Sequence, residues 1–361
     1  MASALPAPIP ILPFEPEGMV GVSRTSLQAP RRLVLIRLQA FGDTTGLLPL
    51  VGALSERWPA CAIEIVTDER SRSLFTARKD VARVHTVDGR ASRMQRGLAL
   101  LRLSRALRRE PLDVVVDLQR SPFSRALVRL ANPPAWVALD RFAPRNGLTR
   151  YVEALDWVGL GPIKPRLAPG LTLAAEQRAR EMLGTRGRDE ARPLVCLNPA
   201  GGWVTKQWPL ERWVALGQRL RSERGAQLLT IGEGGLLPRF AALKAALGAS
   251  LLDFSGETTP DEAMALLAEA EAIVSEDSGL MHLAWTQGVP AVAIFGASRS
   301  VWSRPNGPGC SGFYSEDLAC GACMQPSCAR GDLLCLTRVS VDEVFERVCA
   351  TLPDVIAERR P

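Results

Sequence analysis

Short apolar runs alternate with amphipathic segments from residue 31 onward, which is typical of a doubly wound α/β protein with a parallel sheet. The runs of the first half predict strands at Leu33–Leu38, Ala62–Val66, Arg83–Val87 and Asp113–Asp117. Helical spacing of apolar positions predicts helices between them, at Leu47–Arg57, Ser92–Arg109 and Phe123–Leu130.

A stretch rich in glycine and proline, from Gly159 to Gly170, interrupts this pattern. A second α/β series follows, with predicted strands at Leu194–Leu197, Gln227–Ile231, Leu251–Asp253, Ala272–Val274 and Ala291–Phe295. We therefore predict two similar domains, at residues 31–170 and 193–338, joined by an interdomain linker region at 171–192. The last segment, 339–361, contains a helix that is a candidate to pack back on the N-terminal domain.

Composition agrees with two folded domains. The chain has 361 residues, of which 47% are hydrophobic and 23% charged, so each domain can bury a core. No apolar run approaches the roughly 18 residues of a membrane-spanning helix. The first thirty residues repeat proline without a basic region ahead of apolar residues, so we expect a flexible tail at 1–30, not a signal peptide, and a cytoplasmic protein.

The net charge of +6 indicates an acidic partner, for which phosphorylated glycans, anionic membrane surfaces and nucleic acids are the candidates. Nearly all basic residues are arginine, and part of this bias can reflect genome composition. The arginine-rich segment 102–109 has helical spacing and is interpreted as a solvated helix face.

Three segments combine a strand end, a glycine turn and a helix start. In the first, Gly42 and Asp43 follow the strand at Leu33–Leu38 and lie at the carboxyl edge of the sheet, where such folds bind ligands. The carboxylate of Asp43 is either an N-cap or a general base.

In the second segment, Gly201 and Gly202 allow close backbone approach, and Lys206 places a cation at the end of the loop. This combination suits phosphate. In the third, the turn Asp277-Ser278-Gly279 opens a helix whose N-terminal amides form an anion site, while His282 lies on the first turn and is either a ligand-binding or an ordinary helix residue.

Together the three segments, in matching order from about Arg31 to Val348, resemble glycosyltransferase family 9, the ADP-heptose:lipopolysaccharide heptosyltransferases. The block Asp-Ser-Gly-Leu-Met-His-Leu-Ala is the most specific part of the resemblance. It implies the GT-B fold, in which two Rossmann-like domains, an N-terminal acceptor-binding one and a C-terminal donor-binding one, face a central cleft.

The resemblance also implies roles for single residues. Asp43 matches the catalytic base and Lys206 the phosphate-binding lysine. The donor loop corresponds to Asp277, Ser278, Gly279 and His282, with Gly201 and Gly202 nearby and Glu233 as a further candidate for ribose or base contact. Ser278 stands where threonine is frequent and keeps the hydroxyl. Gly46 stands where histidine is frequent, which bears on the acceptor.

The implied reaction is inverting transfer of heptose from ADP-heptose to a hydroxyl of an acidic or phosphorylated glycan, most simply a lipopolysaccharide core glycolipid at the cytoplasmic face of the inner membrane. No divalent metal is required for it. Candidate acceptor-binding residues are Arg120, Arg125, Arg141 and Arg145. A different nucleotide sugar, a protein or small-molecule acceptor, and a non-catalytic nucleotide-sugar binding protein remain alternatives.

Four cysteines, Cys320, Cys323, Cys328 and Cys335, lie within sixteen residues of one another. Four thiolates suit tetrahedral zinc or a single iron, so we predict a structural metal; a partly buried thiol cluster without metal is the alternative.

Two other classes of protein fit less well. A Rossmann dehydrogenase requires Gly-x-Gly-x-x-Gly after the first strand, and neither Gly42 nor Gly201 opens that pattern. A nucleic-acid-binding protein requires basic and aromatic residues around the cysteines, where the segment 321–334 offers only Arg330, so no nucleic acid is expected.

Overall fold

The computed structural model describes residues 19–23, 29–139, 145–232 and 236–353. The chain divides into two compact units, the first ending at Gly170 and the second beginning at Leu171. The glycine and proline stretch that predicts a boundary ends at the same residue. Arg141 and Glu233 lie outside the described residues.

The first unit is a six-stranded sheet with helices between its strands. Its described elements are β1 (Met19–Ser23), β2 (Arg32–Ile36), α1 (Phe41–Thr45), α2 (Leu48–Arg57), β3 (Ala62–Asp68), α3 (Arg72–Thr76), β4 (Arg83–Val87), α4 (Arg93–Arg108), β5 (Val114–Asp117), α5 (Pro122–Ala131), β6 (Ala135–Leu139) and α6 (Gly147–Trp157). The strand order is β1-β6-β5-β2-β3-β4. All neighbouring strands are parallel except β1, which is antiparallel to β6.

The prediction of a tail at residues 1–30 is wrong for Met19–Ser23, which forms β1. The strand pairs with β6, for example Val22 with Val137, and the register shifts between Met19 and Gly21. The exposed edge of β6 supplies the hydrogen-bonding partners of β1, and the short sequence of β1 does not predict this pairing.

The second unit is also a six-stranded sheet, and all its strand pairs are parallel. Its described elements are α7 (Leu173–Thr185), β7 (Leu194–Asn198), α8 (Leu210–Arg224), β8 (Gln227–Thr230), α9 (Leu237–Leu247), β9 (Leu251–Asp253), α10 (Pro260–Ala268), β10 (Ala272–Glu276), α11 (Gly279–Trp285), β11 (Ala291–Ile294), α12 (Ser300–Ser303), β12 (Ser311–Phe313), α13 (Leu334–Thr337) and α14 (Val341–Cys349). The strand order is β12-β11-β10-β7-β8-β9.

Two segments that the sequence separates from this unit belong to its fold. Helix α7 lies in the predicted linker 171–192, packs against α10 and buries Ala179 and Leu183. Helix α14 packs against α8 and contributes Val344, Phe345 and Val348 to the core. Within the described residues, no helix has both the length and the apolar character to cross a membrane.

Both sheets reverse their strand order at one point, between β2 and β5 in the first unit and between β7 and β10 in the second. All described residues of these four strands are buried. Ligands of open α/β sheets bind at the carboxyl ends of the strands that flank such a switch point. The loops that follow these four strands are therefore the candidate ligand-binding loops.

A buried ion cluster lies at the opposite, amino-terminal side of the first sheet. Glu64 on β3 accepts hydrogen bonds from Arg32 Nε at 2.8 Å and interacts with His85 Nε2 at 2.7 Å. The Arg32 guanidinium also donates to the carbonyls of Leu107 and Glu110, which ties α4 to the sheet. Burial acts to raise the pKa of Glu64, but the hydrogen bonds from His85 and Arg32 outweigh it and lower the pKa to about 2.

Because the pKa of Glu64 is lower in the folded chain than the roughly 4.3 of an unfolded glutamate, its contribution to stability is complete above that pH and is lost as the pH falls toward 2. We expect Glu64→Gln to reduce the free energy of unfolding by about 3 kcal/mol at pH 7 and by progressively less below pH ~4. Urea unfolding from pH 7 to pH 3 measures this difference. Glu69→Gln, which removes an exposed partner of Arg72, is the control and should change stability by less than about 0.5 kcal/mol; an equal loss for Glu64→Gln at all pH values would contradict the assignment.

Candidate functional site

Asp43 lies on the short helix α1, directly after β2 at the switch point of the first sheet. It is the third residue of this helix, not the N-cap: its Oδ2 accepts a hydrogen bond from the N–H of the capping residue Ala40 at 3.2 Å. The side chain is nevertheless 41% exposed. The carboxylate therefore stabilises the helix start and stays accessible to a substrate.

Two buried side chains hold Asp43 in place. The Arg37 guanidinium donates to Asp43 Oδ2 and to the carbonyl of Leu118. The Tyr151 hydroxyl donates to the backbone carbonyl of Asp43 at 3.1 Å. Burial raises the pKa of Tyr151 to about 12, so this hydroxyl keeps its proton at neutral pH.

Tyr151 also accounts for the glycine at position 46. A Cβ atom on Gly46 would lie 3.0 Å from Cε2 of the tyrosine ring. The ring fills the space beside α1, so a histidine at this position would require Tyr151 to move.

The segment after β5 is joined to the Asp43 loop. Gln119 Oε1 accepts hydrogen bonds from the backbone N–H groups of Leu38 and Gln39 at 2.9 and 3.0 Å. Asp117 Oδ1 in turn accepts from the N–H groups of Gln119 and Arg120 at 3.0 Å each. The backbone of the two loops at the switch point is thus fixed by side chains from the strand ends.

The arginines predicted to bind an acceptor have different environments. Arg120 is the third residue after β5 and has a left-handed backbone conformation, with φ 49°. Arg125 is exposed on α5. Arg145 pairs with Glu153 at 2.8 Å. Of the three that the structure describes, Arg120 lies in a loop that is hydrogen-bonded to the Asp43 loop.

In the second unit, the loops after β7 and β10 share a buried carboxylate. Glu276, the last residue of β10, accepts hydrogen bonds from the N–H of Gly201, the N–H of Trp208 at 2.7 Å and Trp213 Nε1 at 3.2 Å. Arg239 approaches the same carboxylate at 3.0 Å. Burial raises the pKa of Glu276 to about 7, against the lowering effect of Arg239 and the N–H donors.

Gly201 is required by this arrangement, because a Cβ atom there would lie 2.6 Å from the Lys206 carbonyl oxygen and 2.8 Å from Glu276 Oε2. Gly202 is exposed, and no described atom comes within 4 Å of an added Cβ. The two glycines therefore differ: the first allows close packing, and the second leaves the loop surface open.

Lys206 and Asp277 join the two loops. The Lys206 ammonium lies 2.7 Å from Asp277 Oδ2 and 4.7 Å from the ring centroid of Trp203. Burial acts to raise the pKa of Asp277, but the Lys206 charge outweighs it and the net shift is downward. The structure thus brings together two residues that the sequence predicts to bind the donor.

Ser278 is the N-cap of α11, and its Oγ accepts from the Met281 N–H at 3.4 Å. The same oxygen accepts from Nδ2 of Asn198, the buried last residue of β7, at 2.7 Å. Gly279 is the first residue of the helix. His282 Nδ1 accepts from Trp285 Nε1 at 3.2 Å, so a neutral ring carries its proton on Nε2.

The four clustered cysteines are free thiols, with Cys320 and Cys323 exposed and Cys328 and Cys335 partly exposed. Backbone N–H groups of Leu333, Arg330 and Gly331 lower the pKa of the Cys328 thiol. Burial and the other three thiols raise that of Cys335. Within the described residues, no three His, Cys, Asp or Glu side chains are placed to hold one metal ion, so the geometry does not reproduce the predicted centre.

Sequence reasoning missed the residues that support the site: Arg37, Gln119, Tyr151, Asn198, Arg239 and Glu276. For two of them the sequence contains a signal. Asn198 and Glu276 are the last residues of mostly apolar strands. In a parallel sheet covered on both faces, polar side chains are expected mainly at the carboxyl ends of the strands, where ligands bind.

Known proteins resemble this chain along most of its length. The model of glycosyltransferase family 9 (heptosyltransferase) matches residues 100–333. Lipopolysaccharide heptosyltransferase 1 of Pseudomonas aeruginosa is 25% identical over 361 residues, covering 89% of this chain and 98% of the relative.

Solved structures show the same fold. The family 9 glycosyltransferase of Veillonella parvula has a TM-score of 0.76 at 19% identity, covering 89% of this chain and 97% of the other. The ADP-heptose lps heptosyltransferase II of E. coli has a TM-score of 0.70 at 21% identity, covering 89% and 98%. The iron-containing dodecameric glycosyltransferase TibC of enterotoxigenic E. coli has a TM-score of 0.52 at 16% identity, covering 92% and 78%.

These likenesses confirm the predicted α/β fold with two Rossmann-like domains, as in GT-B enzymes. The match of the family model covers more than half of the chain. The protein is therefore a glycosyltransferase and belongs to glycosyltransferase family 9, the heptosyltransferase family.

Proposed function

We propose that this enzyme transfers heptose from ADP-heptose, with inversion, to a hydroxyl of a lipopolysaccharide core glycolipid. The observation that carries the proposal is the 2.7 Å contact between Lys206 and Asp277, which unites the two donor motifs at one switch point. Relatives named lipopolysaccharide heptosyltransferase, and a similar structure named for ADP-heptose, support the choice of donor and acceptor.

The donor binds at the loops after β7 and β10. Lys206 and the N–H groups at the start of α11 carry the positive charge and dipoles that a diphosphate needs, and Asp277 is an acceptor for sugar hydroxyls. As the bond to the sugar breaks, negative charge grows on the departing ADP. Lys206 and the amides of Ser278 and Gly279 stabilise that charge, so the proposed step uses no divalent metal.

Asp43 is the general base. Its exposed carboxylate removes the proton of the acceptor hydroxyl as the oxygen attacks the anomeric carbon on the face opposite ADP. Arg37 and Tyr151 hold the carboxylate and the backbone that carries it. Arg120 is the arginine best placed to bind an acceptor phosphate, because its loop is hydrogen-bonded to the Asp43 loop through Gln119.

We propose that the enzyme acts in the cytoplasm, at the inner face of the membrane, because a lipid-linked glycan acceptor would be exposed there. The net charge of +6 supports an anionic acceptor and an anionic surface.

We further propose that Cys320, Cys323, Cys328 and Cys335 hold a structural zinc or iron. Thiolates are suitable ligands for both metals. The thiols are near enough to influence one another, since Cys320, Cys323 and Cys328 all raise the pKa of Cys335. The similar structure of an iron-containing glycosyltransferase adds support. Because no three ligating side chains of the described residues are placed around one point, binding requires these thiols to move closer together.

Thermal unfolding with a panel of nucleotide sugars tests the donor. We expect ADP-heptose and ADP to raise the midpoint temperature of unfolding more than UDP- or GDP-sugars do, because a ligand that binds the native state and not the unfolded state stabilises the native state. Equal protection by all nucleotides would exclude the proposed donor. In the same panel Asp43→Asn should keep its protection by ADP-heptose.

Transfer to a core glycolipid tests the base. We expect Asp43→Asn to lower kcat by about 10²-fold to 10⁴-fold, because the amide cannot accept the proton. The matched control is Asp88→Asn, at an exposed aspartate whose carboxylate accepts a hydrogen bond from the N–H of Arg90. Turnover by Asp43→Asn near that of the control would remove Asp43 from the mechanism.

Glu276→Gln tests the support of the donor loop. The amide turns one acceptor into a donor that faces the N–H groups of Gly201 or Trp208. We expect a loss of about 1–3 kcal/mol in the free energy of unfolding and roughly tenfold weaker ADP binding by calorimetry. Glu223→Gln, an exposed carboxylate beside Arg219, should leave both unchanged.

Elemental analysis of protein purified without a metal-affinity tag tests the metal. We expect about one zinc or iron per chain, and loss of that metal in Cys328→Ser. Cys61→Ser, outside the cluster, is the control. A folded, metal-free wild-type protein would contradict the metal proposal and leave the donor proposal intact.

A further inference from the structure

Helix α4 carries large apolar side chains on its exposed side. Met94 is 75% exposed, Leu98 59% and Leu101 45%. They are spaced by four and three residues, so they lie in one line along the helix. The same line continues through Arg105 and Arg108, which are also exposed. We call these five residues the α4 stripe.

The α4 stripe is not part of the fold's own core. The opposite side of the helix holds Leu103 and Leu107, which are buried in a core cluster with α5 residues. Helix α4 is thus apolar on two sides, and only one of them is covered by the described chain. Leaving three large apolar side chains together in water is unfavourable, which indicates that another surface covers them.

The charge of helix α4 indicates which kind of surface covers the α4 stripe. Helix α4 contains five arginines and no acidic residue. Among the described residues, Arg105 and Arg108 have no ion-pair partner. The helix therefore offers apolar groups at one end of the stripe and uncompensated cations at the other.

We propose that the α4 stripe docks the protein on an anionic lipid bilayer. Met94, Leu98 and Leu101 enter the boundary between headgroups and acyl chains, and the arginines bind lipid phosphates while their stems lie along the apolar layer. This inference rests on the proposed function, because it places the domain that carries Asp43 at the surface that presents a lipid-linked acceptor.

A second copy of the chain is a poorer occupant. The apolar part of the stripe spans eight residues, from Met94 to Leu101, or roughly 10 Å of helix. This is short for an interface that needs about 1,200 Å² or more. Two copies would also bring uncompensated arginines near one another. A bilayer has neither restriction, because it supplies negative charge over its whole surface.

Co-sedimentation of the full chain with vesicles tests the proposal. The vesicles are of phosphatidylcholine alone, or with about a third phosphatidylglycerol. We expect the wild-type protein to bind the anionic vesicles, and less so at high salt. The variant with Met94→Gln, Leu98→Gln and Leu101→Gln should bind about tenfold less, since glutamine keeps the helix and removes the apolar contact.

The variant with Arg105→Gln and Arg108→Gln should lose binding several-fold and only for anionic vesicles. The matched controls lie on α7 of the other unit. Leu173→Gln removes an apolar side chain that is 84% exposed, and Arg178→Gln with Arg180→Gln removes two charges. The controls should bind as the wild type does.

Three results would overturn the proposal: no preference of the wild type for anionic vesicles, equal losses in the α7 controls, or unchanged binding in the apolar variant. Unchanged binding in the apolar variant would mean that helix α4 binds anions in general and does not insert apolar side chains into a bilayer. ADP binding, measured on the same samples, separates the two hypotheses. If an α4 variant loses vesicle binding but keeps ADP binding, the result concerns docking alone. If the wild-type protein binds vesicles but not ADP, the result contradicts the proposed donor and not the docking surface.

Discussion

The central strands of each sheet are parallel and buried on both faces, and this constraint decides where polar chemistry can lie. The residues of β2, β5, β7 and β10 are all buried. A polar side chain within such a strand would have to be paired inside the core. At the carboxyl ends the strands open into loops, and there the chain places Asp117, Asn198 and Glu276.

These strand-end residues hold the loops through hydrogen bonds. Glu276 collects N–H donors from Gly201, Trp208 and Trp213 and the guanidinium of Arg239. A buried carboxylate is costly unless its oxygens are hydrogen-bonded, and the surrounding donors offset that cost. The same bonds define the path of the loop that ends at Lys206. Fold stability and the geometry of the loop proposed to bind the donor therefore depend on one interaction.

The first unit adds a buried cation to its strand-end carboxylate Asp117. The Arg37 guanidinium reaches the carboxylate of Asp43 and the carbonyl of Leu118. Asp43 is thereby held at one end and open to solvent at the other. A general base requires both properties, because it must be oriented and must also reach the acceptor hydroxyl. Tyr151 adds a contact to the backbone of the same residue and fills the space beside Gly46.

Most central strands could be predicted, because a strand covered on both faces must be a short apolar run. The edge strand β1 could not, since it depends on β6 for its partner. The sequence assigns helices α7 and α14 outside the second domain for a related reason. An amphipathic pattern predicts that one face of a helix is buried, but it does not indicate which element that face packs against.

The sequence alone determined the α/β class, the boundary near Gly170 and the motif residues Asp43, Lys206 and Asp277, because each depends on local pattern and residue type. Tertiary structure decided that Lys206 meets Asp277, that Glu276 and Arg37 support the two loops, and that Met94, Leu98 and Leu101 are exposed. Among the described residues it also places no three metal-ligating side chains around one point, whereas the spacing of the four cysteines alone suggests one metal centre. These are distances between residues far apart in the chain or directions of side chains, and only the packed fold specifies them.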